Sequence, residues 1–255
     1  MEFAKWCVAT EESVQTHKLR GLGIATGGQA HAIGAIAKAV PGYYTDPKRV
    51  ADLLRKLGKP AAAAHVEQKL PTQASIRSGD LGEILCNAYV YEATPFILGI
   101  KRLRWKDHRN MSMRGEDVLA FNFDSKSGSL KILKAEVKSR AGMRTAVIDE
   151  ARAALCANSG LPSPHALAFV ADRLNHAGDT FLGDALDKAQ LKDGIRVSQV
   201  SHMLFTFSGN DPLKLLKTNL QSYAGPVPQH YVGLRVDRHQ DFIKAVFAAI
   251  GKVGK

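Results

Sequence analysis

The clearest periodicity in the chain lies between Glu116 and Ser139, where apolar and polar side chains alternate. "EDVLAFNFD" and "LKILKAEVKS" read as two strands joined by a Gly-centred hairpin turn over "SKSGS". "FILGIKRLRW" reads as a strand before them, and "HALAFVADRL", "SHMLFTFSG" and "HYVGLRVDR" as strands after them. The period lengthens to that of a helix in "GDLGEILCNAYVYEA". There Leu81, Ile84, Leu85 and Ala88 share a face and Glu83 projects beside it, with Gly79 and Gly82 expected to permit close packing. "RTAVIDEARAALCAN" is a second helix, with Val147, Ile148, Ala151, Ala154 and Leu155 as its core face and Glu150 exposed. "DRHQDFIKAVFAAIGKV" closes the chain as a third.

The first 70 residues read as mostly helical. "GGQAHAIGAIAKAV" is small and apolar and stops at Pro41. "DPKRVADLLRKLG" offers Asp46 as N-cap, Pro47 at the first helical position and Gly58 as a stop, and "PAAAAHVEQKL" follows as far as Pro71. The polar "PTQASIRSG" then reads as a joint, dividing a helical region, 1–72, from the rest, 73–255. The expected fold class is α/β: a central mixed β-sheet flanked by helices, preceded by a mostly helical amino-terminal region.

Composition sharpens this picture. Of 255 residues, 45% are hydrophobic and 23% charged, which is globular. The net charge of +11 calls for an anionic partner, and nucleic acid is the first candidate because Lys and Arg neutralise phosphate. Cys7, Cys86 and Cys156 lie far apart with no CxxC, so neither a disulfide framework nor a zinc cage is expected, and a reducing cytoplasm fits. The start "MEFAKWCVATEESVQTHK" is not patterned as a signal peptide, and no run of 18 apolar residues predicts a membrane span. "GLGIATGG" lacks the GK[ST] of a P-loop and has Thr26 where a dinucleotide motif needs glycine, so it reads as a flexible loop. The nine histidines form no HxH, HExxH or HxxxH pair; His108 and His165 flank the core and read as surface or packing residues.

The candidate chemistry lies in "KAEVKS". On a strand Glu136 and Lys138 point the same way and Val137 the opposite way. An isolated [DE]xK triplet says little, since the chain has three others, beginning at Asp46, Glu67 and Asp124. Those fall on a helix cap, a helix end and a hairpin turn, whereas Glu136 ends an apolar strand that would hold its side chains rigidly. The hairpin brings "GED" alongside, and two carboxylates brought together repel unless a proton or cation lies between them. Hard oxygen ligands of this kind suit Mg²⁺ or Mn²⁺. The helix of Glu83 comes just before.

A helix glutamate, a strand aspartate and then a strand (D/E)xK followed by a helix resemble the PD-(D/E)XK nuclease superfamily. The resemblance implies that Asp117 and Glu136 hold a Mg²⁺ or Mn²⁺ ion with the Val137 carbonyl, that Glu83 is the helix acid, and that Lys138 positions the attacking water. Glu116 replaces the proline of the signature, which leaves the ligand as Glu116 or Asp117. Residues 78–140 further resemble the HamA nuclease subunits of Hachiman anti-phage systems and the related Abp defence nuclease. That likeness implies a DNase effector regulated by a superfamily 2 helicase subunit, HamB-like. The rival readings are an inactive nuclease-fold module that binds DNA or a partner, and an RNA-directed nuclease.

Around this core, "KRLRWKDHRN" read as a strand aligns Arg102, Arg104 and Lys106 as a phosphate-contacting stripe or, equally, as a solvated face. Arg140 and Arg144 follow Lys138 and are candidates to reach a phosphate.

Overall fold

The computed structural model describes residues 1–124 and 126–250. Two strands, β1 (Cys7–Val14) and β2 (His17–Ile24), open the chain. They are followed by α1 (Gln29–Ala39), the single turn α2 (Pro41–Tyr44), α3 (Pro47–Lys69) and α4 (Ala74–Ala93). The short β3 (Ile97–Leu98) precedes β4 (Val118–Phe123) and β5 (Leu130–Arg140), after which come α5 (Thr145–Cys156), α6 (Pro164–Ala177) and α7 (Thr180–Lys188). The last elements are β6 (Val200–Ser208), α8 (Leu213–Gln221), β7 (Gln229–Arg235) and α9 (His239–Ile250). The expected continuation of α9 over residues 251–253 lies outside the described residues.

The seven strands form one mixed sheet in the order β1-β2-β7-β6-β5-β4-β3. The centre, β2-β7-β6-β5, is parallel, and antiparallel strands flank it on both sides. Helices cover both faces, as a buried parallel sheet requires. Leu133, Ala135, Phe205, Phe207 and Val232 point from the sheet into a core completed by α1, α4 and α9. On the opposite face Ile132 and Phe121 pack under α6 and α7, while Leu204 and Tyr231 pack under α5 and α8. The α/β class and mixed sheet expected from sequence are therefore present.

Four local expectations change. Residues 7–24 are strands, not helix, and β2 joins the central sheet beside β7, so the amino-terminal region is helical only from Gln29 onward. "CVATEESV" is exposed at six consecutive positions, as an edge strand is, so it carries little apolar signal. The "GLGI" of the glycine-rich stretch belongs to β2 and is no loop; a Cβ on Gly21 would meet Leu213 Cδ1 at 2.8 Å. "HALAFVADRL" is helix α6, capped by the Ser163 hydroxyl, which accepts from Ala166 N, and with Pro164 in the first turn. "FILGIKRLRW" yields only the two residues of β3 and a single 3₁₀ turn, Arg102–Trp105.

Helix starts and stops were more legible. The Asp46 carboxylate accepts from Lys48 N, and Gly58, at φ 81°, kinks α3 instead of ending it. The joint shrinks to residues 70–73, because α4 already begins at Ala74.

Candidate active site

α4 and the β4–β5 hairpin bring the acidic residues together. α4 is buried continuously from Asp80 to Val90 and lies directly on β5. Gly82 makes the contact possible: a Cβ there would stand 3.0 Å from Val137 Cγ1 and 3.2 Å from Ser139 Cβ. Gly79, by contrast, has open space beside it and plays no part in the packing. In the hairpin Val118 pairs with Ala135, so the next position sets Asp117 opposite Glu136. There the backbone ladder gives way to a side chain, and the Asp117 carboxylate accepts the Val137 N–H at 2.8 Å.

Glu116 is turned away. Its two oxygens accept the Ser163 N–H at 2.6 Å and the Ser163 hydroxyl at 3.0 Å, at the start of α6. Of the two acids left open by the sequence, Asp117 is the one that faces Glu136.

Lys138 Nζ lies 3.1 Å from Glu136 Oε1 and donates to Glu150 Oε1 at 2.7 Å. Glu150, expected only to be exposed, is exposed and also anchors this ammonium from α5. The signal was there: a helix that follows a strand directly folds back along it, so its first polar turns meet the strand's end. On the same face of β5, Lys134 is buried and donates to the carbonyls of Leu155, Ala157 and Leu161, which ties the strand to the end of α5.

The basic stripe does not form, because the 3₁₀ turn sends its three cations different ways. Arg102 donates through Nε and Nη2 to the two oxygens of Glu83, each at 2.9 Å, and through Nη2 to Asp117 Oδ1 at 3.2 Å. Arg104 donates to the Gly42 carbonyl. Lys106 is buried on Asp80, which also accepts from the Tyr44 hydroxyl at 2.7 Å. Arg140 and Arg144, in contrast, are exposed just beyond Lys138, and among the described residues neither forms a direct ion pair, although the Glu150 carboxyl, whose pKa Lys138 lowers, is close enough to Arg140 to be lowered further.

Burial, reinforced by the charges of Glu83 and Glu136, holds the Asp117 carboxyl well above the usual carboxylate range, against the pull of Arg102 and the Val137 N–H. Burial also raises Glu136, although Lys138 opposes it. Lys138 loses some basicity to burial, but its ion pairs with Glu150 and Glu136 outweigh this and raise it. It is therefore an ammonium at neutral pH. The result is a partly desolvated acidic pair, Asp117 and Glu136, beside a fixed cation.

Among the described residues no three His, Cys, Asp or Glu side chains gather as a ready-made metal cage. Asp117, Glu136 and the Val137 carbonyl nevertheless suit a hard divalent ion of the Mg²⁺ class, which binds through one or two carboxylates and keeps its waters. Glu83 accepts from Arg102 with both oxygens, and Asp117 accepts from the same guanidinium and from the Val137 N–H, so one cation ties the two acids together.

Cys7, Cys86 and Cys156 are all free thiols. No helix among the described residues is long and apolar enough to cross a membrane.

A model of the HamA family matches residues 2–250. Hachiman protein HamA of Bacillus cereus is 25% identical to this chain over 252 residues, covering 96% of this chain and 89% of that protein. The family match takes in β1 and α9 as well as the acidic pair: the chain belongs to the HamA family.

Proposed function

We propose that this chain is the metal-dependent deoxyribonuclease effector of an anti-phage defence system and works with a helicase partner. The observation that carries the proposal is Asp117 facing Glu136 across the end of the β4–β5 hairpin, with Lys138 held beside them by two carboxylates. The defence role and the partner rest on family membership and on the Hachiman name of the relative. The net charge of +11 suits a nucleic-acid substrate.

Asp117 and Glu136 would hold Mg²⁺ or Mn²⁺ together with the Val137 carbonyl. When bound, the ion supplies a lowered water pKa and charge neutralisation at the scissile phosphate. Lys138, kept protonated by Glu136 and Glu150, donates hydrogen bonds to the attacking water or to a phosphate oxygen. It acts by orientation and charge, because an ammonium cannot abstract a proton. Arg140 and Arg144 would grip the phosphate backbone past the scissile bond.

The test is loss of supercoiled plasmid with Mg²⁺, with EDTA and matched duplex RNA as controls, run alone and with a candidate helicase and ATP. We expect Mg²⁺-dependent DNA cleavage, reduced at least about hundredfold in folded Glu136→Ala and Lys138→Ala. DNA bound but never cut, under every condition, would overturn the proposal in favour of a binding module. Cleavage of RNA alone would overturn the choice of substrate.

A further inference from the structure

Beside the acidic pair lies a cavity of about 470 Å³, within the range of small-ligand sites. Arg102 and Asp117 line it, so it shares a wall with the candidate active site. Part of its lining is aromatic. The rings of Trp105, from the 3₁₀ turn, and Phe169, from α6, meet edge to face at 6.3 Å and 87°. The Arg173 guanidinium lies over both, 5.8 Å from the Trp105 centroid and 5.1 Å from that of Phe169.

Arg173 makes no ion pair or hydrogen bond among the described residues, and its buried Nε lacks an acceptor. A donor of this kind, fixed on two rings in a cavity wall, is unspent hydrogen-bonding capacity. Arg114 and His165 stand exposed around the same cavity; of the acids that line it, Glu116 accepts from Ser163, Asp117 accepts from Arg102 and the Val137 N–H, and Asp107 is exposed.

We infer that this cavity is a subsite for one unpaired nucleobase of the strand being cut. Aromatic faces with a stacked guanidinium take any base by its π-surface, and the cations hold the attached phosphates. Inside a duplex that surface is covered by neighbouring bases, so the subsite selects single-stranded, frayed or extruded nucleotides. The inference deepens the nuclease reading and rests on it for the identity of the ligand; it sets the preferred substrate as DNA that has lost pairing near the scissile phosphate.

The test is binding in EDTA of a single-stranded DNA oligonucleotide, the same oligonucleotide with abasic positions, and the matched blunt duplex. Iodide quenching of tryptophan fluorescence is read in parallel. Trp6 is fully buried, so accessible quenching reports Trp105. We expect the single strand to shield Trp105 and to bind about tenfold or more tighter than the abasic strand, and Trp105→Ala to lose that difference. Trp105→Phe, which keeps a stacking face, should retain it. Equal affinity for normal and abasic strands with unchanged quenching in the wild type would overturn the inference, and that arm needs no variant to fold. Cleavage of plasmid with base-independent binding would sink the subsite and leave the nuclease reading intact; base-dependent binding without any cleavage would do the reverse.

Discussion

Both carboxylate oxygens of Glu83 are held by one side chain, that of Arg102, and the same guanidinium reaches on to Asp117. The three groups are nearly buried, so this cation offsets the repulsion between two acids in a partly desolvated setting. Arg102→Met should therefore cost about 3–5 kcal/mol of stability, the usual cost of stranding a buried charge. Adding Glu83→Gln should recover most of the loss. Urea denaturation of both variants checks this, and a single variant as stable as wild type would contradict it.

Divalent-ion binding should be visible without any cleavage assay. Asp117 and Glu136 hold their protons more tightly in the fold than outside it, so their contribution to metal-free stability is largest at low pH and declines as pH rises through the folded values. An ion must displace those protons, so its stabilising effect grows in the same direction. With Mg²⁺ at about a hundred times its Kd, linkage predicts about 2.7 kcal/mol. That is about 5–10 °C in Tm at pH 7.5, with a smaller shift at lower pH. Scanning fluorimetry of wild type and Glu136→Gln decides it; an equal shift in both would show that the ion binds elsewhere.

The two glycines of α4 should respond with opposite signs. Gly82→Ala drives a methyl group against Val137 and Ser139 and lifts the helix from β5, at about 1–3 kcal/mol, with a fall in cleavage. Gly79→Ala fills open space on the exposed face of the same helix and should stabilise by about 0.5–1 kcal/mol. Denaturation midpoints measure both, and matching signs would show that the close approach at Gly82 is not what limits that site.

Asp80 makes a second contribution to pH dependence. Burial lifts its pKa from the ordinary 3.8 to about 6, even with Lys106 beside it. Because the folded value is the higher one, the folded state keeps this proton between about pH 4 and 6. Stability therefore declines as pH rises through that window, by at most about 3 kcal/mol, and levels off above it. Asp80→Asn should remove that part of the slope, as measured by urea denaturation at intervals from pH 4 to 7. A slope identical to wild type would mean that Asp80 is ionised throughout.

The sequence by itself determined the parts of this protein that local periodicity controls. Alternation in "LKILKAEVKS" put Glu136 and Lys138 on one face of β5, the hairpin carried Glu116 and Asp117 to the same end, and the helical period of α4 set Glu83 beside its packed face. Each depends on residues close in sequence, where strand or helix geometry alone fixes the direction of a side chain. Tertiary structure decided what depends on distant neighbours. β2 lies beside β7, with His230 opposite Lys18, and only the sheet edge makes the polar "CVATEESV" a strand. "HALAFVADRL" is too short and too evenly apolar for its period to separate strand from helix, and the cap at Ser163 together with packing over β4 and β5 settled it. Charge was the least legible. Arg102, Lys106 and Lys138 are all cations in the sequence, yet Arg102 bridges Glu83 and Asp117, Lys106 pairs with the buried Asp80, and Lys138 lies between Glu136 and Glu150. An ion pair's strength is set by distance and solvent exposure, which the chain acquires only when remote segments meet.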